Sequence, residues 1–207
     1  MANNILKRIG AASKYLVVLA AVLVFTGWLI YTPPGFLGKL DAIAYAVCHR
    51  IAERSFHIGS IQLPLCARCT GMYLGAVTGL VFQSIRGGKR NKVPRWSIIA
   101  VLLVFVVAFG IDGVNSYLYL LKQIRPGILP QIPNIYIPNN TLRLLTGSGM
   151  GLVIAAMLFP AFNQSIWTDY DDTRSGLPGW KAFSLLLGIQ IIFDLLVMTG
   201  SPLILIR

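Results

Sequence analysis

Five apolar segments, each close to the length of a membrane-spanning helix, constrain this chain more than any other feature. A helix needs about 20 apolar residues to cross the ~30 Å hydrocarbon core of a bilayer. The segments lie at residues 15–31, 65–85, 96–121, 142–162 and 180–206. Hydrophobic residues make up 56% of the chain and charged residues only 12%, which is about half the charged share of a soluble domain. The sequence therefore predicts an all-α, polytopic transmembrane bundle of about five spans and excludes a soluble globular fold.

The ends of the first and last segments predict where these helices stop. Residues 32–35 read Thr-Pro-Pro-Gly, which ends the first helix and is unlike the small-residue cleavage site of a signal peptide. We therefore interpret the first segment as a retained anchor. In the last segment, residues 200–202 read Gly-Ser-Pro and predict a kink or a break. All five spans are expected to form a single transmembrane domain over residues 1–207.

Basic residues in the short connections predict the orientation. The connection between the second and third segments carries Arg86, Lys89, Arg90, Lys92 and Arg95. Cytoplasmic connections hold an excess of lysine and arginine, and with five spans this one lies on the same side as the basic N-terminus. We expect a multi-pass protein of the cell membrane with a cytoplasmic N-terminus, and residues 32–65 and 122–141 facing outward. The net charge of +11 arises from such flanking residues, so the bilayer is the expected partner and nucleic acid is not.

All three cysteines and both histidines lie within 22 positions, before and at the start of the second segment. They are Cys48, His49, His57, Cys66 and Cys69. Cys66 and Cys69 are three residues apart, which places both thiols on one face of the first turn of a helix. The positive end of the helix dipole and neighbouring arginines favour the thiolate form at that position. Thiolates are the form that both metal binding and disulfide exchange require.

Two chemical interpretations of this cluster remain open. One is a tetrahedral zinc site made by the three cysteines and one histidine, with His57 preferred because His49 adjoins Cys48 and adjacent residues rarely bind the same ion. That site would be structural, accessory to a membrane complex or, with an open metal position, part of an outer-leaflet metalloenzyme. The other is a thiol–disulfide oxidoreductase that uses Cys66 and Cys69, with Cys48 as the resolving thiol. A structural disulfide or three inert thiols would carry no chemistry, and transport has the least support because only the last span is interrupted.

Polar residues in and beside the spans predict a second group near the cysteines. Ionisable side chains are costly in lipid and often mark function. The predicted pocket residues are Arg54, Arg68, Asp112, Asn115, Asn140 and Arg143. A purely structural alternative is that Asp112 pairs with Arg143 to neutralise charge. Asp194 and Gln190 lie deeper, in the last span.

Two further patterns concern packing. Residues 122–141 contain four prolines and several isoleucines, which predicts a non-helical, apolar cap over the outer end of the bundle or a contact surface for a membrane-protein partner. Glycines also recur at four-residue spacing, and small residues at this spacing let helices approach closely in lipid. These glycines are Gly71, Gly75 and Gly79 in the second segment and Gly147 and Gly151 in the fourth.

The cysteine motif also carries a family resemblance. It consists of Cys48-His49, Glu-Arg-Ser-Phe at residues 53–56, Leu-Pro-Leu-Cys-Ala-Arg-Cys-Thr-Gly at residues 63–71 and Tyr-Leu-Gly at residues 73–75. This string resembles the signature of domain of unknown function 2085, a family of small membrane proteins of bacteria and archaea. Asp112-Gly113, Asn140, Arg143 and Gly147 are similar to the polar positions of that family's later helices. The resemblance covers about residues 40–160 and implies an integral membrane protein without implying a particular activity.

Overall fold

The computed structural model describes residues 2–59, 61–125, 127 and 131–200. The chain forms two compact units, Met1–Val47 and Cys48–Arg207, which we describe separately. Within the described residues, four helices are long and apolar enough to cross a membrane. The predicted helical membrane protein is therefore confirmed, whereas a single bundle of all five spans stays a prediction.

The first unit contains two helices, α1 (Ala2–Tyr31) and α2 (Phe36–Val47). From Ser13 to Tyr31, α1 has the length and hydropathy of a membrane span, and its side chains are almost all exposed, as in a helix that faces lipid. Pro33-Pro34 supplies no N–H donors, so α1 ends before it. Helix α2 lies in a region that the sequence predicted as a loop. Its 12 residues are too few to span a membrane, so the pattern of apolar spans did not identify it.

The second unit begins with a β-hairpin that the sequence did not predict. A short 3-10 helix, Ala52–Arg54, leads into strand β1 (Ser55–Ile58), which pairs antiparallel with strand β2 (Ile61–Cys66). The helices that follow are α3 (Ala67–Gly87), α4 (Trp96–Ile124), α5 (Asn140–Ile166) and α6 (Trp180–Met198). The hairpin, the starts of α3 and α5 and the last turns of α4 lie together at one end of this unit. We call it the cysteine end.

Helices α4, α5 and α6 correspond to predicted spans and have the length and hydropathy of a membrane crossing. Helix α3 is 21 residues long and covers the predicted second span, but it is less apolar, so its membrane crossing stays a prediction. Helix α6 ends at Met198, just before Gly200, whose φ of +59° is incompatible with a continuing right-handed helix. Residues 201–206 of the predicted last span lie outside the described residues.

Helices α3 and α5 form the most extensive contact between elements in the described part of the chain. A Cβ added to Gly71 would overlap the carbonyl oxygen of Leu144, and one added to Gly151 would overlap that of Met72. A Cβ at Gly75 or Gly147 would likewise overlap a carbonyl oxygen of the other helix, and one at Gly79 would overlap the Cβ of Ala155. We call these five glycines the glycine seam: Gly71, Gly75, Gly79, Gly147 and Gly151. The predicted role of these glycines in helix packing is confirmed.

The buried apolar core fills the half of the second unit that lies away from the cysteines. Its members come from the end of α3, the middle of α5, the starts of α4 and α6, and the segment before α6: Phe82, Ile98, Leu102, Leu152, Ala156, Leu177, Ala182, Phe183 and Leu186. Two short parallel strands, β3 (Arg90–Lys92) and β4 (Asp171–Ser175), pair at this far end. The cysteine end buries several polar side chains, among them Asp112, Asn115 and Arg143.

Candidate functional site

The three cysteines come together at the junction between the hairpin and α3. Cys48 precedes the hairpin, Cys66 ends β2, and Cys69 lies in the first turn of α3. Their three sulfur atoms lie within 4.8 Å of one another, and all three are free thiols. The backbone N–H of Cys66 donates a hydrogen bond to Sγ of Cys48 over 3.3 Å, which holds the first cysteine against the start of the helix. We call these three residues the cysteine group.

The spacing of the cysteine group fits a tetrahedral metal. Zinc binds thiolate sulfur at about 2.3 Å, so sulfurs at the corners of a zinc tetrahedron lie about 3.8 Å apart. The observed upper limit of 4.8 Å is close enough for small side-chain rotations to reach that geometry. Three thiolates also favour zinc over magnesium or calcium, which prefer oxygen ligands.

Neither histidine belongs to this group. His57 lies on β1 opposite Gln62, and both His57 and His49 are exposed. Within the described residues, no histidine nitrogen joins the atoms that lie within 4.8 Å of one another. The structure thus brings together three of the five predicted ligands, and a histidine as the fourth ligand stays a prediction.

One thiol of the group is strongly activated. The pKa of the Cys66 thiol is lowered to about 5, mainly because Cys69 donates a hydrogen bond to its sulfur, which outweighs the raising effect of burial. Cys48 acts in the same direction through a further hydrogen bond. The lowered pKa favours the thiolate form of Cys66, which suits a metal ligand or a nucleophile toward a disulfide.

Beside the cysteines, an ion pair joins α3 to α4. Nη2 of Arg68 binds the carboxylate of Asp112 and donates to Oγ of Ser116 over 3.2 Å. The direct ion pair of Asp112 is with Arg68, from the first turn of α3, and not with Arg143 as in the structural alternative, although Arg143 lies near enough to interact with Asp112 electrostatically. The hydroxyl of Tyr136 donates to Oδ1 of Asp112 over 2.6 Å. Burial, together with the hydrogen bond to this carboxylate, raises the pKa of Tyr136 to about 12, so its hydroxyl remains a donor at neutral pH.

The segment before α5 folds back onto the end of α4. The side-chain amide of Asn115 donates to the carbonyl oxygen of Tyr136 over 2.9 Å, and its Oδ1 accepts from the backbone N–H of Ile135 over 2.9 Å. Asn134 donates to the carbonyl oxygen of Asn115 over 3.1 Å. Residues 134–136 thus pack against α4, whereas a cap over the outer end of the bundle stays a prediction.

Two further arginines complete the polar network. Nη2 of Arg54 donates to the carbonyl oxygen of Ser116 over 3.2 Å. Nη1 of Arg143 donates to Oδ1 of Asn140 over 2.9 Å, and Asn140 in turn donates to the carbonyl oxygen of Ser55 over 3.2 Å. Through these bonds all six residues of the predicted pocket meet at the cysteine end.

Sequence reasoning named Asp194 and Gln190 but missed the buried side chains of Ser116 and Ser148. Ser116 lies one turn beyond Asp112 on the same face of α4, a spacing that would have pointed to it. Deeper in the unit, Asp194 is 2% exposed, and its Oδ1 accepts from the hydroxyl of Ser148 over 2.7 Å and from the amide of Gln190 over 3.0 Å. Ser148 lies next to Gly147 of the glycine seam, and no sequence pattern had singled it out.

These features define a multi-pass helical membrane protein with a group of three thiols and a buried polar network at one end of its larger unit. The chain belongs to the family named domain of unknown function 2085, described as a predicted membrane protein, whose profile matches residues 48–157. The match begins at the first cysteine and includes the whole cysteine group and all six pocket residues.

Two archaeal proteins illustrate the relationship. An uncharacterized protein of Methanocaldococcus jannaschii is 25% identical over 170 residues, which cover 75% of this chain and 97% of that protein. An uncharacterized protein of Methanothermobacter thermautotrophicus is 31% identical over 110 residues, which cover 52% of this chain and 82% of that protein. No solved structure matches this chain.

Proposed function

We propose that this chain is an integral membrane protein in which Cys48, Cys66 and Cys69 bind one zinc ion as a structural site, accessory to a membrane complex. The observation that carries this proposal is the convergence of three free sulfur atoms within 4.8 Å. A bound ion would join the segment before the hairpin, the end of β2 and the first turn of α3. It would thereby hold the hairpin on the helix end.

The fourth ligand decides between a structural and a catalytic zinc. A histidine would close the coordination shell, as in structural sites, whereas a water molecule would leave an open position, as in metalloenzymes. His57 lies on β1, the strand that pairs with β2, and its side chain is exposed. This side chain would have to move in order to bind the ion. An outer-leaflet metalloenzyme is therefore the form this proposal takes if water is the fourth ligand.

The proposed orientation places the cysteine end outside the cell membrane and the N-terminus in the cytoplasm. The far end of the second unit carries Lys89, Arg90, Lys92, Arg95 and Arg174, and basic residues favour the cytoplasmic side. An impermeant maleimide applied to intact cells should then label the cysteine group after zinc chelation. Labelling that occurs only after the cells are broken would show the opposite orientation.

Metal analysis of the detergent-purified protein tests the zinc site. We expect about one zinc per chain, lost when Cys48, Cys66 or Cys69 is replaced by serine, because each replacement removes a thiolate ligand. Thr70→Ser, which alters the residue next to the group but no ligand, is the matched control and should keep its zinc. His57→Ala tests the fourth ligand: the variant should lose affinity for zinc only if His57 completes the coordination shell.

The second candidate is disulfide exchange, which the activated Cys66 favours. The Cys66 thiolate would attack a disulfide in a partner protein, forming a mixed disulfide and releasing one partner thiolate. Cys69, rather than the predicted resolving thiol Cys48, would then attack Sγ of Cys66, which forms a Cys66–Cys69 disulfide and releases the partner's second sulfur as a thiol. Two electrons thereby pass to the partner, whose disulfide is reduced. A protein without zinc but with a Cys66–Cys69 disulfide by mass spectrometry, and a Cys69→Ser variant that traps mixed disulfides, would favour this function over the metal site.

A further inference from the structure

Three arginines converge beside the cysteine group, each from a different element. Arg54 comes from the 3-10 helix, Arg68 from the first turn of α3, and Arg143 from the first turn of α5. Arg54 and Arg68 both place Nη2 within 3.2 Å of an oxygen atom of Ser116. Arg143 lies within Coulombic range of both. We call these three residues the arginine group.

The negative charges around the arginine group do not balance it. Arg143 interacts electrostatically with Asp112 and Cys66 as well as with the two other arginines. Asp112 already binds Arg68. Among the groups that act on Arg143, three guanidinium groups thus share the one carboxylate of Asp112, while Glu53, next to Arg54, is exposed to solvent. This leaves a surplus of positive charge around Arg143. Buried charges are costly unless they are paired, so this surplus favours an anion.

The hydrogen-bonding capacity of the arginine group is also incompletely used. Arg143 is only 6% exposed, and its buried Nε has no hydrogen-bond partner among the described residues. The buried Nε of Arg68 likewise has no hydrogen-bond partner within the described part of the chain. The side chain of Arg68 is 22% exposed, so the group is reachable from the surface of the unit.

We propose that Arg54, Arg68 and Arg143 bind a phosphate group at the cysteine end of the second unit. Guanidinium forks match the oxygen spacing of carboxylates and phosphates. A carboxylate has two oxygens, which a single fork satisfies, whereas donors that arrive from three elements match the several oxygens of a phosphate. The phosphate belongs either to a lipid headgroup or to a soluble phosphate, and both share this recognition chemistry. The site uses none of the proposed zinc ligands.

Binding of inorganic phosphate to the detergent-purified protein, measured by calorimetry, is the first arm of the test. We expect Arg54→Gln to weaken binding by about tenfold or more, since it removes a charge-assisted hydrogen bond. Arg54 is partly exposed, so this variant keeps its fold more readily than Arg143→Gln, which we expect to have at least as large an effect. Arg86→Gln, an exposed position at the far end of α3, is the matched control and should bind as the parent does.

The second arm distinguishes the two sources of phosphate. The protein is placed in nanodiscs of phosphatidylcholine with and without phosphatidic acid, and bound lipid is measured by native mass spectrometry. Retention of phosphatidic acid by the parent and Arg86→Gln but not by Arg54→Gln, without affinity for inorganic phosphate, identifies a lipid headgroup. The proposal is overturned if neither ligand binds, or if Arg86→Gln weakens binding as much as Arg54→Gln does. Since Cys69→Ser should lose zinc and keep phosphate, the two proposals fail independently.

Discussion

Replacing glycine by alanine should have opposite effects on stability inside the glycine seam, at Gly71, and outside it, at Gly188. At Gly71, an added Cβ would overlap the carbonyl oxygen of Leu144 and lie 2.8 Å from the backbone nitrogen of Ser148. Ordinary contact of about 3.4 Å would require α3 and α5 to separate by roughly 0.6 Å at the Ser148 nitrogen and by more at the Leu144 oxygen, which is nearer. Both obstacles are backbone atoms, so no side-chain rotation relieves the overlap. We expect Gly71→Ala to lower the free energy of unfolding by about 2–3 kcal/mol.

Gly188, on the exposed side of α6, is the matched control because a Cβ there meets nothing within 4 Å. Gly188→Ala should raise the free energy of unfolding by about 0.5–1 kcal/mol, since alanine is the better helix former. Thermal unfolding of both variants in the same detergent measures the difference. For a chain of this size, about 2–3 kcal/mol corresponds to a melting temperature lower by about 5–10 °C. If Gly71→Ala is as stable as Gly188→Ala, the close packing of α3 and α5 does not depend on the absence of a side chain at Gly71.

Two other predictions concern buried hydrogen bonds. Asp194→Ala should lower the free energy of unfolding by about 1–3 kcal/mol, because it leaves the Ser148 hydroxyl and the Gln190 amide without their acceptor; Asp194→Asn, which keeps an acceptor oxygen, should lose less in the same denaturation assay. The pKa of Tyr136 is raised to about 12 from an ordinary value of 10, first by burial and then by its hydrogen bond to Asp112, so the fold favours the neutral hydroxyl. The stability that depends on this neutral form is fully present below pH 10 and is lost as the pH rises through 12. The melting temperature of the parent should therefore fall more than that of Tyr136→Phe between these pH values, and equal losses would contradict the assigned role of this hydroxyl.

The helices of the second unit could be predicted because each depends on its own apolar residues. The predicted start of the third span at residue 96 and that of the last at residue 180 coincide with the first residues of α4 and α6. The hairpin could not be predicted in this way. Its strands have only 4 and 6 residues, and Pro64 within β2 argues against a strand when the sequence is considered alone. Pairing with β1 outweighs that local signal.

The candidate site shows the same division between local and long-range information. Cys66 and Cys69 are three residues apart, so their proximity followed from spacing, although Cys66 is the last residue of β2 and not part of the first turn of α3 as predicted. The position of His57 depends on the register of the hairpin, which pairs it with Gln62 and leaves it exposed. The partner of Asp112 depends on how α4 is rotated against α3, and only tertiary packing determines that rotation. The sequence therefore indicated which residues belong to the site without indicating which of them bind each other.

The glycine seam also connects packing to the two proposed sites, and in an unequal way. A Cβ at Gly147 would overlap the carbonyl oxygen of Arg68, so Gly147→Ala should push the first turns of α5 and α3 apart. The cysteine group lies entirely on the hairpin side and on α3, whereas the arginine group needs both helices, because Arg143 is on α5. Gly147→Ala should therefore keep about one zinc per chain and weaken phosphate binding, with metal analysis and calorimetry on the same preparation as the two measurements. Loss of both ligands together would mean that the cysteines depend on α5 and that the sites are one structure, contrary to the separation inferred from their elements.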